Sequence, residues 1–273
     1  MLNRLKNRPR IFGVFSLSYV RRQERLLSEV FNSEQALAGF RSGGQLPAGY
    51  GKGFDERVVE FPWLLSCALD GKVLDAGSTL NHSHVLDAVQ PGIAALTIVT
   101  LAPEPRAFPE RGVSYVFADL RSLPFVDSSF DTAVSISTLE HVGMDNSLYA
   151  TAAKERAADP DQELKKALDE IRRVTADSGR LLITVPYGVP EDLGWLRQFD
   201  AAGIDRLIKL SGAQSSEVTI FRYDAGGWQH STFEQAADAS YHMIDRERPA
   251  AAADGAAAAR AVACLDLRLP GPS

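Results

Sequence analysis

Five short apolar runs recur between residues 72 and 185, and this spacing constrains the fold more than any other feature. They lie at 72–76 (KVLDA), 94–101, 114–118, 132–137 and 180–185. Each has strand length and is bounded by turn residues, and the intervening segments are long enough to cross back over a sheet. Parallel strands need such crossovers of about a dozen residues. Residues 161–174 make the clearest crossover helix, with Leu164, Ala167, Leu168, Ile171 and Val174 on one stripe. Asp177-Ser178-Gly179 is expected to stop it. Residues 55–69 also have helical spacing, but Pro62 interrupts them and predicts two short helices or a kink. Two further strand-like runs, 217–223 and 261–269, bring the total to seven. The expected class is α/β, a doubly wound Rossmann-like and mostly parallel sheet. The Ala-rich stretch 250–259 reads as a short helix or a loop.

The chain of 273 residues makes one large domain or two small ones. Its 45% hydrophobic and 23% charged residues exclude global disorder, a collagen-like repeat and a low-complexity scaffold. Lys plus Arg number 29 and Asp plus Glu 35, a net charge of −6 that argues against nucleic acid as partner. Only Cys67 and Cys264 are present, too few for a disulfide framework, so a reducing, cytoplasmic setting is expected. No apolar run approaches the roughly 18 residues that span a bilayer. The run at 11–20 (IFGVFSLSYV) lies between basic clusters and reads as a buried strand or helix; contact with an anionic membrane surface and a signal peptide are the alternatives. The expected organisation is a basic and apolar extension over 1–45, the natural place for a subunit contact, followed by one domain over 46–273. A Gly-rich connector, 41–53, joins them.

In a doubly wound sheet, ligands bind where the strands exit. The first strand leaves through Asp75-Ala76-Gly77-Ser78-Thr79-Leu80-Asn81-His82, where Gly77 allows a sharp turn and close backbone approach. Downstream come ADLRSLPF, SSFDTAVSISTLEHV, EIRRV and SGRLLITVP. Together with VLDAG, in this order over residues 72–186, the series resembles class I S-adenosylmethionine-dependent methyltransferases. The segment GYGKGFDERVVEFPW followed by LDAGSTLNH also resembles a subgroup found in bacterial glycan and secondary-metabolite gene clusters. The resemblance implies a seven-stranded sheet with one antiparallel strand near the C-terminal edge, and S-adenosylmethionine as cofactor. It implies that Asp75, Ala76, Gly77 and Ser78 lie under the methionine portion, that Asp119 and Leu120 meet the adenine, and that Ser137 and Thr138 lie near the sulfonium. Two positions depart from the family pattern. Ser78, Thr79 and Asn81 stand where further glycines are usual, and Thr100 and Leu101 stand where an acid grips the ribose, with Glu104 a little beyond.

Methyl transfer to a hydroxyl needs alignment and a base. His141, just past the fourth strand, is the leading base candidate, with substrate positioning or support of the loop as its other roles. Glu140 can orient it, bind substrate hydroxyls, or serve as a helix-start acid. His82 is a second catalytic candidate. His82 and His84 would face apart on a helix, and Asp119 and Asp131 lie at opposite strand ends, so no metal is expected. Asp55, Glu56 and Arg57 read as a helix start or as part of a lid carrying Tyr50 and Phe54. Tyr187, Trp195, Trp228 and His230 are candidates for an acceptor pocket as well as for the core. A nicotinamide-dependent reductase would want a fuller G-x-G-x-x-G and a Tyr–Lys pair four apart; Tyr149 and Lys154 are five apart. The reading is metal-independent methyl transfer to a small acceptor, a sugar or metabolite hydroxyl. The other class open is a non-catalytic binding or scaffold subunit on the same fold.

Overall fold

The computed structural model describes residues 15–147, 149, 156–242, 254–256 and 258–272. The chain opens with helices α1 (Leu17–Phe31), α2 (Glu34–Ala38) and α3 (Arg57–Ser66). Then follow β1 (Lys72–Ala76), α4 (Ser83–Val89), β2 (Ala95–Thr100), β3 (Val113–Phe117) and β4 (Phe130–Ile136). After α5 (Pro160–Val174) and β5 (Thr175–Pro186) comes a two-stranded ribbon, β6 (Glu191–Asp192) and β7 (Arg197–Gln198). The chain closes with α6 (Ala201–Ser211), β8 (Ser215–Asp224), β9 (Gly227–Ser231), α7 (Phe233–Ala236) and β10 (Ala261–Arg268).

One sheet runs in the order β3-β2-β1-β4-β5-β10-β8-β9. Strands β1 to β5 are parallel, and β10 inserts antiparallel between β5 and β8. These are the seven strands expected. The hairpin strand β9 adds an eighth, pairing antiparallel with β8 at the edge. Burial explains why β1 is central: Val73, Leu74, Asp75 and Ala76 are all within the interior, as a strand covered on both faces requires. Val73 joins one apolar cluster with Leu64, Val85 and Leu86. Leu74, facing the other way, joins a second with Leu164, Leu168 and Ile171. Strand order reverses between β1 and β4, which opens a crevice at their carboxyl ends.

Helix α5 starts where Asp159 accepts from the N–H groups of Asp161 and Gln162, with Pro160 in the first turn. It stops at Val174, three residues before the predicted Asp177-Ser178-Gly179. The Thr175 hydroxyl donates to the Ile171 carbonyl and occupies one of the last orphan acceptors. The predicted stop instead lies inside β5, where Ser178 takes a left-handed φ of 57° and the pairing with β4 shifts register.

Pro62 does not divide its helix; α3 is continuous around it. Proline removes the N–H that would bond to the carbonyl four residues back. That carbonyl, Val58 O, accepts instead from the Tyr50 hydroxyl at 2.7 Å. Tyr50 is therefore a buried support for α3. Phe54 packs edge-on against Tyr19, and Trp228 donates to the Phe54 carbonyl, so neither Tyr50 nor Phe54 forms the imagined lid. Tyr187 bonds to Phe233 O and belongs with Trp228 to the core, while His230 is half-buried, bonded to Gly39 O and packed on Phe221.

Residues 17–20 of the basic-flanked run form the first turn of α1, capped by Ser16, and residues 11–14 lie outside the described residues. Leu27, Val30 and Phe40 share the apolar cluster of α3 and β1. Of the Ala-rich stretch, Ala258 bridges to His242 and Ala256 and Ala259 are buried; its other alanines at 250–253 and 257 lie outside the described residues. No helix of the described residues is long and apolar enough to cross a membrane.

Leu168 is fully buried and Val126 is 78% exposed. Leu168→Ala should therefore lower unfolding stability by about 2–5 kcal/mol, whereas Val126→Ala should stay within about 0.5 kcal/mol. Urea unfolding followed by far-UV circular dichroism checks both.

Candidate active site

The carboxyl ends of β1, β2, β3 and β4 enclose a cleft of about 890 Å³, within the range of small-molecule and cofactor sites. All the predicted site residues except Asp75, Ala76 and Glu140 line it: Gly77, Ser78, His82, Thr100, Asp119, Leu120, Ser137, Thr138 and His141. The three exceptions are buried beneath its walls.

The loop after β1 is built from its own side chains. Asp75 accepts from the N–H groups of Thr79 (3.3 Å) and Leu80 (2.8 Å), which curls the chain into a tight turn toward α4. Burial pushes the Asp75 carboxyl up to about 7, although the two N–H groups oppose the shift. Gly77 has φ 134°, and a Cβ there would lie 2.1 Å from the Thr138 Oγ1. Only glycine allows the β1 and β4 exits to approach this closely. The Thr79 hydroxyl then donates across to Ile136 O at 2.8 Å. Ser78 adopts a left-handed φ of 63°, and its buried hydroxyl has no hydrogen-bond partner among the described residues. A buried polar atom on the cleft wall without a partner fits a ligand group there.

Asn81, in place of a usual glycine, has a structural use. Its amide donates to Glu104 at 2.8 Å and to Arg106 O at 2.9 Å, and accepts from the Tyr115 hydroxyl at 2.8 Å. These bonds fold the loop after β2 over the cleft and bring the Glu104 carboxylate into its lining. Thr100 also lines the cleft, its hydroxyl turned to Ala102 O at 3.3 Å. Asp119 is gripped by Arg121 through the backbone N–H and the guanidinium. Burial works against its ionisation, but Arg121 prevails and holds the carboxyl below the usual range. Arg121 is fixed in turn by Glu163 of α5.

On the opposite side, His141 Nδ1 is 2.8 Å from Trp195 O, whose acceptor character places the proton on Nδ1 and the lone pair on Nε2. Nε2 is 3.4 Å from the Tyr149 hydroxyl and 3.9 Å from Glu140 Oε1. Burial lowers the His141 pKa to about 4 and pushes Glu140 up to about 8. His82 also lines the cleft, edge-on to Phe61, and is lowered to about 4 by burial. Ser137 donates to Glu60 Oε1, as does Thr184 of β5, both at 2.6 Å, while Arg57 bonds to Glu60 Oε2. Arg57 itself lines the cleft.

Glu60, Asn81 and Tyr149 are the site groups that sequence reasoning left without a role, and Arg57, expected as a helix start or part of a lid, lines the cleft. One signal was available for Glu60, a lone carboxylate on the apolar stripe of α3. Nothing local marks Tyr149.

Residues 74–183 match the family model described as "Methyltransferase domain". No curated protein matches the chain. Among solved structures, the cyclase SpnF is 22% identical with TM-score 0.48, covering 93% of this chain and 96% of its own. YcgJ of Bacillus subtilis is 15% identical with TM-score 0.47, covering 78% and 99%. The 1,6-didemethyltoxoflavin-N1-methyltransferase of Burkholderia thailandensis, with bound S-adenosylhomocysteine, is 14% identical with TM-score 0.44, covering 92% and 83%. Likenesses of this order say nothing of the reaction. The segment matched by the methyltransferase model runs from β1 into β5 and carries the strand exits that line the cleft at the switch point of the sheet.

Gly77→Ala should raise the S-adenosylhomocysteine Kd by at least about tenfold, because the added Cβ forces the β1 and β4 exits apart. Isothermal titration on the variant, with its circular dichroism unchanged, checks this.

Proposed function

We propose that the chain transfers a methyl group from S-adenosylmethionine to a hydroxyl of a small acceptor, a sugar or other metabolite of the kind handled by glycan and secondary-metabolite gene clusters. When bound, the cofactor supplies an electrophilic methyl group on a sulfonium. The observation that carries the reading is the orientation of His141. Trp195 O accepts the Nδ1 proton, so the lone pair of Nε2 is left inside the cleft. A hydroxyl brought within hydrogen-bond reach of Nε2 would lose its proton there as methylation proceeds. Glu140, 3.9 Å from Nε2, would stabilise the imidazolium that forms once its own carboxyl, raised to about 8 by burial, is ionised. Tyr149 and Trp195 flank the imidazole, at ring separations of 5.3 and 5.1 Å, and hold its plane.

For the cofactor, the proposed seats follow the strand exits. Asp75 shapes the loop on which Ala76, Gly77 and Ser78 meet the methionine portion, the Ser78 hydroxyl supplying a free donor. Thr100 and Glu104 are assigned the ribose edge, where Glu104 substitutes for the missing acid. Asp119 and Leu120 take the adenine, and Ser137 and Thr138 the region of the sulfonium. His82 stays a second catalytic candidate on the cleft wall. A cytoplasmic location, a boundary near residue 45 and a subunit contact through the extension belong to the same reading. Micromolar binding of S-adenosylmethionine, weakened by Asp119→Ala, supports it; no binding to the wild type turns the chain into a scaffold subunit.

His141→Ala should reduce turnover at least about tenfold and leave cofactor affinity nearly intact. Because burial lowers the His141 pKa to about 4, Nε2 keeps its lone pair above that pH and loses it only below. The rate profile should therefore show no acid limb between pH 5 and 7. A limb at pH 6–7, or unchanged turnover in the variant, removes His141 from the base role.

A further inference from the structure

Helix α1 is held to the body by one face. Tyr19, Leu27 and Val30 are buried, the Tyr19 hydroxyl accepts from the Asp55 N–H at 2.7 Å, and Gln23 donates to the Asp55 carboxylate at 2.5 Å. These bonds fix the opposite face toward solvent. It carries Leu17, Arg21 and Arg25 at successive four-residue steps, with Ser18 and Arg22 beside them, and all five are exposed. The side chains of Arg21 and Arg25 enter no ion pair or hydrogen bond among the described residues. Arg22 lies over the Phe54 ring at 5.6 Å, and Glu24 is turned toward His84 at 3.9 Å.

The same end of the helix bares apolar surface. Outside the cleft, the exposed large apolar side chains of the described residues are Phe15, Leu17, Phe117, Val126 and Val189. Phe117, Val126 and Val189 are each single along the chain, and scattered apolar residues are ordinary on a protein surface. Phe15 and Leu17 stand two positions apart, 47% and 56% exposed, next to the free arginines. The sequence ahead of them continues both properties, with Arg4, Lys6, Arg8 and Arg10 alongside Ile11, Phe12 and Val14. The first 25 residues hold seven Lys and Arg against one acid, Glu24, in a chain whose net charge is −6.

We propose that this end of the chain docks on an anionic lipid surface, with Arg21, Arg22 and Arg25 against the headgroups and Phe15 and Leu17 at the acyl boundary. Cations and bared apolar side chains on one helix face are the complement of such a surface. A nucleic acid would take the cations and leave Phe15 and Leu17 in water, and the acidic remainder of the chain would repel it. Tyr19 bonds to the residue that precedes α3 by two, and Arg57 at the start of α3 lines the cleft. Docking therefore brings the α3 side of the cleft next to the lipid. The proposal goes beyond the methyltransferase reading and does not depend on it.

The test is co-sedimentation of the full chain with vesicles, either phosphatidylcholine alone or equal parts phosphatidylcholine and phosphatidylglycerol. The chain should partition to the anionic vesicles at least about tenfold more strongly, and salt should weaken that binding. The double variant Arg21→Gln, Arg25→Gln should lose at least about tenfold in partition. Phe15→Ser with Leu17→Ser should lose at least about fivefold. All four side chains are exposed and outside the cleft, so circular dichroism of both variants should match the wild type. Equal partition to the two vesicles, binding to neither, or binding that both variants retain overturns the proposal. Tighter binding to a polyuridine probe than to anionic vesicles overturns it in favour of a nucleic acid. A dimer in solution that either double variant dissolves overturns it in favour of a second copy of this chain.

Discussion

The buried Glu60 carboxylate ties three elements together where the site is built. One oxygen accepts from Ser137 at the exit of β4 and Thr184 of β5, and the other is engaged by Arg57 of its own helix. Removing one partner of such a network leaves an uncompensated buried charge, at a cost of about 3–5 kcal/mol. Helix α3 is thereby anchored at the carboxyl ends of the central strands. That anchoring brings Arg57 to the cleft. Ser137 has a left-handed φ of 41°, so the same bond holds a strained residue at the exit of β4.

Around this anchor, loops that have shed the usual glycines are held by side chains. The Asp75 carboxylate does for the loop after β1 what glycine flexibility alone would not do. It selects one turn by accepting two successive N–H groups. Asn81 then spends its amide on the loop after β2, drawing in Glu104. The two departures from the family pattern are thus linked: the residue that replaces a glycine carries the acid that stands near the expected ribose position. Opposite, the Trp195 carbonyl sets the tautomer of a buried histidine, and burial sets its charge state. A neutral imidazole beside a carboxyl of raised pKa is an arrangement suited to moving one proton.

Much of the fold was legible. The apolar runs mark β1 to β5, β8 and β10 within a few residues, because strands buried on both faces must be continuously apolar. The α5 stripe was equally plain. Boundaries were less so. The end of α5 depends on the Thr175 hydroxyl bonding to Ile171 O, and the continuity of α3 through Pro62 depends on Tyr50 reaching Val58 O. The hairpin strand β9 has too little apolar content to stand out. Within the site, most predicted residues line the cleft because they sit at strand exits, and exits can be counted along the sequence. Tyr50, Phe54, Trp228, His230 and Tyr187 were legible as aromatic or polar residues, but their burial among neighbours far along the chain was not.

The sequence by itself determined the alternation of strands and crossovers, the order of the motifs and the residue types at each strand exit, since these depend on periodicity and local chain stiffness. Tertiary structure alone decided which of those residues meet. It seated Glu60 on Ser137 and Thr184, gave Asn81 its hold on Glu104 and pointed His141 at Trp195 O. The reason is physical. A hydrogen bond or a pKa depends on distance and dielectric between groups as far as 191 positions apart in the chain, and neither is set until the sheet has closed around them.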